Sequence, residues 1–278
     1  MTENRDRLPA ATRLGRVALT VADTARVAEF YESVVGLVVH EGGEPTVLGD
    51  GETPLLELHE DDALPARPAD AAGLFHTAFR VPSRAALGDA LARIEAAGAL
   101  DGASDHLVSE ALYCTDPEGN GVEVYCDRPR GEWGETADGR VEMATEPLAL
   151  ADLRAAATGA DRVPAGTDVG HVHLEVTSLA DARAFYDGAL GMTLRAAYDG
   201  GRFLAAGDYH HHVGANVWGR RTAPIEGRGL AWFELLFPDA ASLEAATDRL
   251  AAAGHAAEPA DGGVTVTDPD GITLRLRA

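Results

Sequence analysis

Apolar positions along this chain fall into two rhythms. Val17, Leu19 and Val21 alternate with other residues, the period-two signature of a strand with one buried face. From Thr24 to Val35 the rhythm changes: Val27, Phe30, Tyr31, Val34 and Val35 recur at helical spacing, and Gly36 is a natural C-terminal stop. Ser83 to Ala97 reads as a second helix ending at Gly98, and short strand-like runs follow each helix. The same succession then recurs. At an offset of 155 positions, Gly15, Val17, Leu19, Val21, Phe30, Tyr31 and Gly36 meet Gly170, Val172, Leu174, Val176, Phe185, Tyr186 and Gly191. At an offset of 156, Gly73-Leu74, Pro82, Leu87 and Gly98 meet Gly229-Leu230, Pro238, Leu243 and Gly254. Two unlike modules have been duplicated as a pair, in the order 1-2-1′-2′.

Each module reads strand, helix, then three short strands, which predicts an α+β fold of four βαβββ modules in two paired units. Residues 8–130 hold the first pair as an N-terminal domain, and residues 167–278 hold the second as a C-terminal domain. The stretch 131–166 changes composition, contains several Gly and Pro residues and reads as a linker with a short helix near Leu148 to Ala157.

Composition narrows the partners. Acidic residues outnumber basic ones 45 to 23, every basic residue is an arginine, and the net charge is -22, spread along the whole chain. A nucleic-acid partner is therefore not expected, whereas a heavily hydrated acidic surface suits concentrated salt and a halophilic source. No apolar run reaches the ~20 residues that cross a bilayer, and Met1 to Pro9 is charged, so no membrane partner is expected. Cys114 and Cys126 have neither a disulfide-framework nor a zinc-ligand spacing, which fits a reducing, cytoplasmic location.

Strand parity picks out candidate chemistry. If Val172, Leu174 and Val176 pack under helices, then His171, His173 and Glu175 face the other way. By the same rule Phe75, Phe79 and Val81 set His76 on the opposite face, and Val122 and Val124 do so for Glu123. In the run Tyr209 to Trp218, Val213, Ala215 and Val217 claim one face, leaving His210, His212, Asn216 and Trp218 on the other. His40, His59 and His255 read as ordinary surface residues.

The segment from Asp105 to Glu123 places His106, then Tyr113, then Asp116-Pro117-Glu118-Gly119, then Glu123. Together with the Phe30-Tyr31 to Gly36 helix ending and the four modules, it resembles the two-domain extradiol (catechol 2,3-) dioxygenases of the vicinal oxygen chelate (glyoxalase/bleomycin resistance/dioxygenase) superfamily. Ser104 departs from that signature, where Gly, Asn or Thr is more usual. The resemblance covers nearly the whole chain and implies the vicinal oxygen chelate fold. It also implies a two-histidine, one-carboxylate set for Fe(II), with Mn(II) compatible, formed here by His76, Glu123 and His171. That set is assembled unusually, because module 1 has Arg16 where module 1′ has His171, and module 2′ has Trp232 where module 2 has His76. Module 2′ has Thr273, or without a gap Arg275, opposite Glu123. Modules 2 and 1′ are thus expected to supply the metal site, and modules 1 and 2′ a degenerate, metal-free cavity.

The implied reaction is cleavage of catechol or a substituted catechol by O2, next to the diol, to a 2-hydroxymuconic semialdehyde-type product. His212 is the implied acid-base residue, mapped onto the second histidine of the family's H-H-x-L-A strand, with His106 and Tyr113 hydrogen-bonding the reacting oxygens. The implied partners are a small aromatic diol and O2, and association into a homo-oligomer is compatible with the family. Two rivals share the modules: a glyoxalase-like metal-dependent lyase or isomerase, which has no need of His106, Tyr113 and His212 together, and a bleomycin-resistance-like protein that binds an aromatic ligand without chemistry.

Overall fold

The structure is a computed structural model and describes residues 7–278. Its elements follow the predicted modules. Module 1 comprises β1 Arg13–Val21, α1 Thr24–Phe30, β2 Val38–Glu41, β3 Thr46–Gly49 and β4 Pro54–Glu60. Module 2 comprises β5 Gly73–Arg80, α2 Arg84–Ala96, β6 Gly102–Asp105, β7 Ser109–Thr115 and β8 Gly121–Asp127. After β9 Glu146–Pro147 and α3 Leu150–Ala156, module 1′ comprises β10 Asp168–Glu175, α4 Leu179–Arg183, β11 Thr193–Tyr198, β12 Gly201–Ala205 and β13 Val213–Asn216. Module 2′ comprises β14 Gly229–Leu236, α5 Ala240–Ala252, β15 Glu258–Ala260, β16 Gly263–Thr267 and β17 Thr273–Arg277.

Within a module, three strands form an antiparallel meander whose last strand pairs parallel to the first: β8 with β5, β13 with β10, and β17 with β14. The helix is the crossover that a parallel pairing requires. Ser83 and Asp239 start α2 and α5 by accepting from Ala86 and Ser242 N–H, the ordinary duty of an N-cap. The helix predicted over 24–35 keeps its span but widens at its end. There the N–H groups of Gly36 and Leu37 both bond the Tyr31 carbonyl, and Gly36 takes a φ of +91°. Residues 184–189 end α4 with the same wide π-type turn, so the duplication extends to a detail that periodicity does not display.

The chain packs as two compact units. The N-terminal unit holds 18–65 and 76–170; the C-terminal unit holds the described chain through Val17 with 66–75 and 171–278. In the N-terminal unit the strands run β4-β3-β2 and β5-β8-β7-β6-β9; in the C-terminal unit they run β15-β16-β17-β14-β1 and β11-β12-β13-β10. β1, β5 and β10 each begin in one unit and end in the other.

The stretch expected as a linker is laid along the N-terminal unit. β9 pairs with β6, and α3 packs on α2 so closely that a Cβ on Gly88 would lie 2.6 Å from the Leu153 carbonyl oxygen. The buried Asp89 carboxylate accepts from Thr158 N–H at 2.6 Å, Thr158 hydroxyl at 2.8 Å and Gly159 N–H at 2.7 Å. Burial pushes its pKa up, but those donors prevail and hold it below the ordinary value.

Candidate functional site

In the N-terminal unit, strand register gathers the sequence-predicted residues. Parallel pairing sets Ala78 beside Glu123, and antiparallel pairing sets Tyr113 beside Glu123, so His76, Glu123 and Tyr113 share one face. The His76 Nε2 lies 3.0 Å from a Glu123 oxygen, and both residues are buried. The His76 and Tyr113 rings stand 5.8 Å apart. Burial first, then the charge and hydrogen bond of Glu123, hold the Tyr113 hydroxyl well above the ordinary tyrosine range, so it keeps its proton.

His106 enters from the β6–β7 hairpin. Its N–H bonds the Ser109 carbonyl at 2.8 Å, and the turn is completed by Leu107 at a φ of +67°, whose N–H donates to Asp105 at 2.9 Å. An Arg128 ion pair fixes that same Asp105. The ring is then held at both ends, with Nδ1 2.7 Å from the Ala144 carbonyl and Nε2 2.6 Å from the Tyr113 hydroxyl. A carbonyl only accepts, so Nδ1 carries a hydrogen; in the neutral ring Nε2 accepts, and Tyr113 donates. One hydroxyl proton thus stands between two acceptors, His106 Nε2 and Glu123.

In the C-terminal unit, β10 and β13 run parallel with Val172 beside Val213 and Glu175 beside Asn216. The parity reading holds along β13, where Val213 and Ala215 are buried and a Cβ on Gly214 would meet the His173 ring at 2.9 Å. It does not extend back through the histidine run, because β13 begins at Val213 and residues 210–212 lie in the preceding loop. The ring seated against His171 is consequently that of His211, at 4.1 Å between centroids, with His210 at 6.1 Å. The His212 Nδ1 accepts from Ala206 N–H at 3.1 Å, which leaves the hydrogen on Nε2 of a neutral ring, and the ring lies 4.9 Å from Tyr209. Alternation could not have found His211; its adjacency in sequence to His212 was the signal available. Glu175 is buried under two guanidiniums, accepting from Arg67 at 2.8 Å and from Arg221 at 2.7 Å and 2.8 Å. Phe75 was expected beneath a helix; instead it is exposed and meets His173 and Trp218 edge to face, while Phe79 on the same strand is fully buried.

At the positions expected to be degenerate, arginines engage a buried carboxylate and the Trp232 ring. Arg16 donates to the buried Glu234 from its N–H at 3.1 Å and its guanidinium at 3.4 Å, and Arg277 does so at 3.1 Å. Arg275 lies 3.7 Å over the Trp232 ring. Burial raises the Glu234 pKa, but the hydrogen bonds and charges of Arg16 and Arg277 prevail and keep it below the ordinary value. Glu234 was not singled out from sequence, and Arg275 rather than Thr273 proves to be the residue against Trp232.

The donor set at His76 and Glu123 suits a metal. Ligand atoms ~2.1 Å from an octahedral ion stand about 3 Å apart when adjacent, which is the separation of His76 Nε2 and Glu123. His76 and Glu123 are thus a buried imidazole and a buried carboxylate that could serve as metal ligands.

Comparison with known proteins follows the same lines. The family model of the Glyoxalase/Bleomycin resistance protein/Dioxygenase superfamily matches residues 13–124 and 168–276. The chain is 36% identical over 269 residues to a catechol-2,3-dioxygenase of Bacillus subtilis (strain 168), covering 93% of this chain and 94% of that protein. A putative dioxygenase structure from Bacillus subtilis superposes with a TM-score of 0.68 at 13% identity, covering 97% of this chain and 85% of the other. Glyoxalase I from Zea mays superposes with a TM-score of 0.57 at 17% identity, covering 96% of this chain and 92% of the other, which speaks for the fold alone. With both halves of the duplication matched, the chain belongs to the Glyoxalase/Bleomycin resistance protein/Dioxygenase superfamily.

Proposed function

We propose that this protein is an extradiol ring-cleaving dioxygenase, converting catechol or a substituted catechol and O2 to a 2-hydroxymuconic semialdehyde-type product at Fe(II) held by His76, Glu123 and His171. The name of the 36%-identical relative supports the reaction class. The observation that carries the reading is the Tyr113 hydroxyl bonded to His106 beside the His76–Glu123 pair. A metal isomerase using the same donors has no use for that relay.

The chain path supports His171 as third ligand. The Arg80 guanidinium, at the end of β5, grips Asp168 at 3.0 Å, and a Cβ on Gly170 would fall 1.8 Å from the Tyr125 hydroxyl. Residues 168–170 therefore lie against the strands that carry His76 and Glu123, and His171 is the next residue. The two imidazoles and the carboxylate would hold an ion of the kind that non-haem Fe(II) oxygenases use. Mn(II) suits the same donors, whereas redox-inert zinc does not suit this chemistry. When bound, the ion supplies the centre at which diol and O2 are oriented side by side. Both oxygen atoms enter the product, so no outside reductant is needed.

The protein residues move the protons. The ring of His211, against His171, is placed to accept a diol proton; the role implied for His212 fits His211 better on this geometry, and His212 anchors the loop through Ala206. Tyr113 is placed to offer its hydroxyl hydrogen as a hydrogen bond to a developing oxygen charge, and His106, whose tautomer is fixed by Ala144, holds that hydroxyl in position through Nε2. The two free, buried cysteines support a cytoplasmic location.

The test is anaerobic loading with Fe(II), addition of catechol, then air. A yellow product, absent from Tyr113→Phe and Glu123→Ala, is the expected result. Tight metal binding with no product from any catechol would move the assignment to the isomerase.

A further inference from the structure

We infer that an aromatic wall leading to His171 selects catechols that carry an apolar ring substituent, an inference that rests on the dioxygenase reading. Among the described residues, the exposed large hydrophobic side chains are Phe75, Tyr198 and Trp218, 39%, 42% and 49% exposed. They are not scattered. Phe75 and Trp218 are 5.6 Å apart, each lies within 5.3 Å of His173, and Tyr198 lies 5.7 Å from Phe203, itself 5.5 Å from His173. From Phe203 the rings continue to His211 at 5.0 Å, and from His211 to His171 at 4.1 Å. A continuous series of ring faces and edges runs from solvent to the proposed ligand, all of it within the C-terminal unit.

The backbone is shaped to hold these rings. Gly200, at a φ of +76°, approaches Trp218 so closely that a Cβ would lie 2.9 Å from the indole, and a Cβ on Gly214 would lie 2.9 Å from the His173 ring. Leaving three large apolar rings in water is unfavourable, and on a chain with a net charge of -22 it marks a surface kept for a ligand. An apolar rather than an anionic occupant is favoured, because Arg67, which also donates to the Leu74 carbonyl beside Phe75, and Arg221 are already engaged by Glu175. The diol end of the substrate reaches the metal, and its substituent lies along Phe203, His173 and the Phe75–Trp218 pair.

The experiment uses Fe(II)-loaded protein without oxygen, so that binding is read apart from turnover, with calorimetric titration of catechol, 4-propylcatechol and 3-(3,4-dihydroxyphenyl)propionate. Burial of the propyl carbons should tighten binding about tenfold or more over catechol, and the propionate, similar in length but charged, should gain little. In Phe75→Ala and Trp218→Ala the propyl-to-catechol ratio should fall towards one, while Trp218→Phe, which keeps a ring, should retain most of it. A ratio that survives both alanine variants, a propionate preferred to the propyl compound, or no binding by any diol overturns the wall. Admitting air then judges the other claim separately: a preserved binding ratio with no ring cleavage keeps the wall and removes the dioxygenase.

Discussion

At the scale of single residues, the proposed proton transfer depends on which imidazole of a three-histidine run meets the substrate. His211 packs on His171, whereas His212 is held by Ala206 N–H and Tyr209. A positioned acid-base group contributes roughly 10²–10⁴ in rate. His211→Ala is therefore expected to lower kcat by about a hundredfold or more while Fe(II) remains bound, and His212→Ala to lower it by less. Steady-state kinetics on both variants, with iron content measured alongside, checks this; the reverse order would return the role to His212. Sequence parity picked out His76, Glu123 and His171 because those residues lie in ordered strands, where alternation reports the face, whereas Tyr113 came only from the resemblance of its segment to the family signature. Parity failed at 210–212 and at Phe75, since alternation does not reach into a loop and does not tell a ring under a helix from a ring at an exposed end.

At the scale of elements, the four modules were legible because each repeats a strand, a capped helix and a glycine stop. What was not legible is how closely elements approach. Gly170 matched Gly15 across the duplication, yet its purpose is steric: a Cβ there would fall 1.8 Å from the Tyr125 hydroxyl and 2.7 Å from its ring carbon. Gly170→Ala is expected to destabilise the protein by about 1–3 kcal/mol and to weaken metal binding, by displacing the residue before His171. Tyr125→Phe, which removes the nearest atom, should recover part of both losses in the double variant. Urea unfolding and Fe(II) titration of the single and double variants test this, and an unperturbed Gly170→Ala protein would contradict the close approach. The wide turns at Tyr31 and Phe185 were likewise hidden, since π-type and α-type bonding present the same apolar spacing over so short a span.

At the scale of the whole molecule, duplication made two equivalent sets of positions, and the chain has used them differently. One set holds His76, Glu123 and His171; the other holds Arg16, Trp232 and Arg275, and in it guanidiniums engage the buried Glu234 and the Trp232 ring. An arginine keeps its charge at any ordinary pH and does not ligate a cation, so the second set is closed to metal by its chemistry. The substitutions were readable in the sequence, but the ion pairs that replaced the ligands were not, because Glu234 has no counterpart that marked it out. One metal per chain is therefore expected. Anaerobic titration with Fe(II), followed by iron analysis after desalting, tests this most directly. One equivalent in the parent protein, lost in His76→Ala, Glu123→Ala and His171→Ala and kept in Trp232→Phe, is the predicted result. Two equivalents in the parent, or one retained when any of the three ligands is removed, would contradict it.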